Sequence, residues 1–192
     1  MHIGVLALQG DFAEHLSVLR TLNVEASPIR LPAELNGLDG LIIPGGESTT
    51  IGKLAVDFNL MEPLISFGES NAIWGTCAGA IFLSKDAQRE QPLLGLMDIT
   101  VERNAFGRQV ESFEAQLDVP ALKEVGDPSP FHAVFIRAPL IQKVESPAKV
   151  LSQLEDGRIV AAQQGHLLAT SFHPELTGDD RMHRYFLKLA EG

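Results

Sequence analysis

Three short aliphatic runs near the start of the chain each stop at a glycine-bearing turn, and a helix-like segment follows each turn directly. Residues 2–8 stop at Gln9-Gly10, residues 38–43 at Pro44-Gly45-Gly46, and residues 72–76 run into Cys77-Ala78-Gly79-Ala80. Apolar runs of this length read as buried strands, and their alternation with helices predicts an α/β chain with a parallel sheet. The first helix is expected after Gly10, with Asp11 as its cap, Glu14 as the capping-box partner, and Phe12, Leu16 and Leu19 at helical spacing. Residues 24–31 supply a further strand, and a helix is expected to begin near Ser48.

Beyond residue 90 the rhythm changes to strand-like runs at 97–102, 112–119, 133–137, 150–154, 158–163 and 166–172. A closing helix over 179–190 would turn Met182, Phe186 and Leu189 inward. The expected sheet is therefore mostly parallel, with antiparallel strands added later in the chain. Gly126-Asp127-Pro128-Ser129-Pro130 reads as a surface connection, not a boundary. With 192 residues, 45% of them hydrophobic, and no internal repeat, residues 1–192 are expected to form one domain.

Charge and cysteine usage exclude several classes. The formal net charge of -10 disfavours nucleic acid or an anionic membrane as partner, because both require a basic face. No apolar run reaches the roughly 18 residues that would suggest a transmembrane helix, and the first apolar run lacks the basic start of a secretory signal, so a cytoplasmic location is expected. A single cysteine cannot form an internal disulfide, which leaves one thiol to be explained.

Gly75-Thr76-Cys77-Ala78-Gly79 has the form of a nucleophile elbow with cysteine in the place of serine. The strand-to-helix turn would project Cys77 from the carboxyl edge of the sheet, and the following helix points its positive end at the sulfur, which favours a nucleophilic thiolate. His173-Pro174-Glu175 follows the last expected strand. A histidine and a carboxylate two positions apart on an extended segment would point the same way, so Glu175 could orient the His173 ring. Pro44-Gly45-Gly46-Glu47-Ser48 ends another strand on the same edge, where backbone amides near Gly46 and Ala78 could donate to an oxyanion. Each feature alone has an ordinary structural explanation: a packed thiol, a solvated turn, a tight Pro-Gly-Gly bend. His2, His15, His132, His166 and His183 read as surface or packing residues.

Together the three features resemble the class I (triad) glutamine amidotransferases, which combine a Gly-Gly oxyanion loop, Gly-x-Cys-x-Gly and a late His-x-Glu on a three-layer flavodoxin-like fold. Further similarity to the glutaminase subunits of pyridoxal 5'-phosphate synthases lies in Leu8-Gln9-Gly10, the run from Pro44 to Thr50, Val101-Glu102-Arg103-Asn104, Phe106-Gly107-Arg108-Gln109, Phe135-Ile136-Arg137-Ala138-Pro139 and Ser171-Phe172-His173-Pro174-Glu175-Leu176. The resemblance implies Cys77, His173 and Glu175 as catalytic triad, and Gly46, Glu47, Ser48, Arg103, Ile136 and Arg137 as the L-glutamine site. It implies glutamine hydrolysis with no metal and no organic cofactor, and ammonia delivery to a barrel-shaped synthase subunit in a ring-shaped hetero-oligomer for vitamin B6 biosynthesis. Arg103 or Arg137 suits the α-carboxylate of glutamine, although either could instead pair with one of the chain's many acidic residues; Arg108 has no assigned role. A stand-alone cysteine hydrolase and a non-catalytic glutamine-binding module are the alternatives.

Overall fold

The computed structural model describes residues 1–103 and 112–192. Its first half runs β1 (His2–Leu6), α1 (Phe12–Thr21), β2 (Glu25–Ile29), β3 (Gly40–Ile43), α2 (Ser48–Asp57), α3 (Met61–Gly68), β4 (Ala72–Thr76) and α4 (Ala78–Leu83). The second half adds β5 (Ser84–Asp86), β6 (Met97–Glu102), β7 (Ser112–Leu117), β8 (Phe131–Ile136), β9 (Leu140–Val144), β10 (Lys149–Gln153), β11 (Ile159–Gln164), β12 (Leu167–Thr170) and α5 (Arg181–Glu191). The Phe106-Gly107-Arg108-Gln109 run, and with it Arg108, lies outside the described residues.

The main sheet follows the order β2-β1-β3-β4-β12-β11-β9-β6-β5, with β10 beside β11. Strands β2, β1, β3, β4 and β12 are mutually parallel, and β11, β9 and β6 continue the sheet through antiparallel pairings. The parallel part has the 2-1-3-4-5 order of flavodoxin-like sheets, with the late strand β12 in the fifth place. β7 and β8 pair separately as an antiparallel ribbon.

Alternation along the buried strands feeds two apolar layers. Leu41 and Ile43 face a layer shared with Ile51, Ala55, Leu64 and Phe82, while Ile42 faces one shared with Leu16, Leu19, Phe135 and Phe186. Helices α2, α3 and α4 thus cover one face, and α1, α5 and the β7–β8 ribbon cover the other, giving the expected three layers. Met182 and Phe186 are fully buried on α5, and Leu189 packs partly buried beside them.

Some expectations need correction. Asp11 is the residue before α1, but its side chain makes no capping bond; its carboxylate turns instead toward His173. The helix α3 and the strand β9 were not expected: Pro63 interrupts the first, and Gln142 and Lys143 break the apolar pattern of the second. Among the described residues no helix is long and apolar enough to cross a membrane.

Candidate active site

Four adjacent parallel strands, β1, β3, β4 and β12, release the chain at the same carboxyl edge, where open α/β sheets place their ligands. Cys77 sits between β4 and α4 with φ 48° and ψ -106°, a backbone conformation that L residues rarely adopt. Its N–H donates to Thr170 O at 2.8 Å, which ties the turn to β12. The turn also requires small neighbours, because a Cβ on Gly75 would lie 2.5 Å from the Gly79 carbonyl. The elbow expected from the sequence is therefore present, with its strain concentrated at the thiol-bearing residue.

From the end of β12, His173 reaches Cys77, and its Nδ1 lies 2.7 Å from Glu175 Oε1. The chain is not extended here. Pro174–Leu176 forms a short 3-10 turn, so the His173–Glu175 contact is made by a bend and not by side chains two apart on a strand. Both residues are buried, His173 4% and Glu175 8% exposed. Burial opposes charge on the His173 ring, but hydrogen bonds with Cys77 and Glu175 overcome it and push the pKa up to about 10. Burial pushes the Glu175 carboxyl up, with the His173 ring opposing it. The 2.7 Å contact is the length of a charge-assisted hydrogen bond, with the Nδ1 proton facing an ionised carboxylate, in keeping with the raised His173 pKa.

In front of this chain of side chains opens a cavity of about 460 Å³, a size suited to a small metabolite. Gly46, Glu47, Ser48, Arg103, Ile136 and Arg137 all line it, as do Cys77, Ala78 and His173. Every residue expected at the site from sequence is thus brought to one place, except Glu175, which lies behind His173. The Gly45-Gly46 loop is clasped from β1: Asp11 N donates to Gly45 O at 3.1 Å, and Glu47 N donates to Gln9 Oε1 at 2.7 Å. A Cβ on Gly45 would come within 2.5 Å of His173 Cε1, so the loop lies directly against the ring.

Glu47 caps α2, accepting from Thr50 N at 2.8 Å and Thr49 N at 3.3 Å. Its carboxylate also pairs with Arg103 Nη1 at 2.5 Å. Partial burial opposes the charge on Glu47, but the bonds from Thr50 and Thr49 and the Arg103 charge outweigh it and hold the pKa at about 2. Arg103 therefore does pair with an acid of the chain, and it does so on the pocket wall. Arg137 enters the same wall with φ 43°.

Sequence reasoning missed three participants. Asp11 Oδ2 lies 3.5 Å from His173 Nδ1; burial raises its pKa, with the His173 charge opposing. His15 and His183, read as surface or packing residues, are fully buried, and His15 Nε2 lies 3.3 Å from Glu175 Oε2. The available signal was position, since His15 precedes Leu19 by one helical turn and so falls on the apolar stripe of α1. Asp11, His173 and Glu175 bring three donor atoms within 4.8 Å of one another. The donor chemistry does not suit a metal ion, because His173 Nδ1 already holds a proton against Glu175.

A thiol at a strained strand-to-helix turn, an imidazole against it and a carboxylate behind the ring, on the carboxyl edge of a doubly covered sheet, has the makings of a cysteine acyl-transfer site. The chain belongs to the SNO glutamine amidotransferase family, whose model matches residues 5–191. It is 59% identical over 194 residues to pyridoxal 5'-phosphate synthase subunit PdxT of Herpetosiphon aurantiacus, covering 98% of this chain and 100% of that protein. The protein of the same name from Moorella thermoacetica is 56% identical over 191 residues, covering 98% and 99%. A crystal structure of a glutamine amidotransferase, 51% identical, superposes with a TM-score of 0.92 and covers 99% of both chains.

Proposed function

We propose that this chain hydrolyses L-glutamine to L-glutamate and ammonia through a thioester on Cys77, and passes the ammonia to the synthase subunit of pyridoxal 5'-phosphate synthase. The observation that carries the chemistry is the contact of His173 with both Cys77 and Glu175 at the wall of the cavity. The relatives named as subunits of that synthase support the partner.

In this reading the Cys77 thiolate attacks the side-chain carboxamide carbon of glutamine, and the carbonyl π electrons move to oxygen. Backbone amides near Gly46 and Ala78 stabilise that oxyanion. His173 donates its proton to the departing nitrogen, the C–N bond breaks, and ammonia leaves a γ-glutamyl thioester. The now neutral ring takes a proton from water, whose oxygen attacks the thioester; collapse expels the Cys77 thiolate and glutamate. Glu175 stabilises the imidazolium during both halves.

The wall of the cavity matches the zwitterionic end of free glutamine. Arg103 and Arg137 offer guanidinium groups for the α-carboxylate, and Glu47, ionised down to about pH 2, offers a counter-charge for the α-ammonium. Ser48 and Ile136 complete the wall. We read residues 1–192 as one glutaminase domain acting in the cytoplasm, within a ring-shaped hetero-oligomer of synthase and glutaminase subunits. Ammonia is mostly protonated at neutral pH, so direct transfer to the partner preserves the nucleophilic form.

Ammonia release from glutamine, measured with and without the synthase subunit, tests the reading. The expected result is strong stimulation by the partner and loss to background in Cys77→Ala. Full turnover without the partner would overturn the assembly, and full activity in Cys77→Ala would overturn the mechanism.

A further inference from the structure

The carboxylate of Glu175 has two oxygens, and the mechanism above uses one. Oε1 meets His173. Oε2 is sealed from solvent and makes no hydrogen bond of good angle among the described residues, yet His15 Nε2 lies 3.3 Å from it. The same nitrogen hydrogen-bonds Thr76 Oγ1 at 3.3 Å, so it stands between two oxygens and sets its polar edge against Oε2. On its other side His15 Nδ1 lies 3.0 Å from His183 Nε2, which α5 brings across the layer. Trp74 packs edge-on against both rings, with centroids 5.8 Å from His15 and 5.0 Å from His183.

The partners dictate the protons. A bare lone pair on His15 Nε2 would face a carboxylate oxygen and be repelled, so this nitrogen carries the hydrogen. A neutral ring then has a bare Nδ1, which accepts from His183 Nε2–H. That leaves His183 Nδ1 bare, in keeping with its lack of a hydrogen-bond partner among the described residues. Burial holds His15 well below its ordinary value, with the His183 and His173 charges acting the same way. It takes His183 down to about 4, against the pull of Asp180. Both rings are therefore neutral dipoles at neutral pH.

We propose that His15 is a positioning residue for glutamine hydrolysis: its Nε2–H edge, oriented by His183 and Thr76, faces the second oxygen of Glu175 at 3.3 Å and keeps that carboxylate ionised and aimed at His173. The proposal rests on the triad reading. A buried carboxylate with one unpartnered oxygen tends to protonate or swing, and either change withdraws support from the imidazolium. An outer donor that orients a buried partner is the usual remedy in active sites. The charged and titratable groups around the carboxylate are His173 after β12, His15 from α1 and Asp11 before it. Cys77 faces His173, and Asp180 acts on His183.

Cys77 is the sole cysteine, so its alkylation by iodoacetamide reports one thiol in the full chain. Without the His15 donor the thiolate–imidazolium pair is less stable. The acid-side midpoint of alkylation should therefore rise by about one pH unit in His15→Leu, a tenfold change in equilibrium. With the synthase present, kcat for glutamine should fall roughly tenfold while KM stays within about twofold. His15→Gln, whose amide N–H reaches the place of Nε2, should restore the midpoint and most of kcat. An unmoved midpoint in His15→Leu, or an equal shift in both variants, overturns the proposal. Should His15→Leu fail to fold, His183→Phe keeps a ring against Trp74 but cannot donate to His15. Its midpoint should move the same way, and an unmoved one is equally fatal. Failure of the triad reading looks different, since glutamine hydrolysis would then persist in Cys77→Ala whatever His15 does.

Discussion

The two sides of Glu175 hold the same kind of ring in opposite states. Toward the cavity, His173 keeps its proton up to about pH 10. Toward the interior, His183 gives up its proton at about 4, and His15 is likewise held neutral. Burial disfavours charge on all three, so burial alone does not explain the contrast. His173 has two potential anions beside it, the Cys77 thiolate and the Glu175 carboxylate, the latter hydrogen-bonded at 2.7 Å. Among the described residues His183 hydrogen-bonds the neutral His15 ring and no anion. A buried imidazole becomes an acid where the fold gives it anions, and a fixed dipole where the fold gives it another imidazole.

Replacing the carboxylate at the junction tests that contrast most severely. Glu175→Gln keeps the size of the side chain and removes the charge that the imidazolium needs. We expect kcat to fall by roughly 10²–10⁴, the usual scale of general acid–base support, with little change in KM for glutamine. A kcat near wild type would mean that Cys77 alone holds the His173 proton. A smaller effect of a different kind is expected at the cavity wall. Arg103→Ala removes a charge-assisted contact of roughly 1.5–3 kcal/mol, so KM should rise about tenfold to a hundredfold while kcat is largely kept. Steady-state kinetics with the synthase subunit separate the two. A fall in kcat with KM unchanged would place Arg103 in the structural support of Glu47 instead of in substrate binding.

How much of this could be read from the chain alone follows from the same physics. Cys77, Gly45-Gly46 and His173 were legible because each ends a short apolar strand at a turn that needs glycine or proline, and parallel strands put those ends on one edge. The His173–Glu175 contact was anticipated for the wrong reason. An extended segment was expected, whereas a 3-10 turn after Pro174 delivers the 2.7 Å contact. Asp11 had every local mark of a helix cap, but a tertiary partner outcompeted the helix end. His15 and His183 were passed over because the contact joins residues 168 positions apart, and no local pattern encodes such a meeting. Their places on the inward stripes of α1 and α5 were visible, and a polar ring on an apolar stripe is the trace that such a contact leaves.

The pH dependence of stability should show the two sides pulling in opposite directions, with the smallest amplitude of these effects. His173 has a folded pKa above its ordinary 6.5, so the native state binds the proton more tightly than the unfolded chain does. Its contribution is complete below 6.5 and is lost as pH rises through the window from 6.5 to about 10. His183 has a folded pKa below 6.5, so the native state favours the neutral ring. Its contribution is complete above 6.5 and is lost as pH falls from 6.5 toward about 4. Denaturant unfolding across this range should therefore give greatest stability near neutral pH. His173→Gln should flatten the alkaline limb, and His183→Phe chiefly the acid limb, with only a small narrowing of the alkaline one. If His183→Phe flattened the alkaline limb as strongly as the acid one, the two sides of Glu175 would be a single titrating unit, and the inner pair would be passing protons to the site instead of only orienting it.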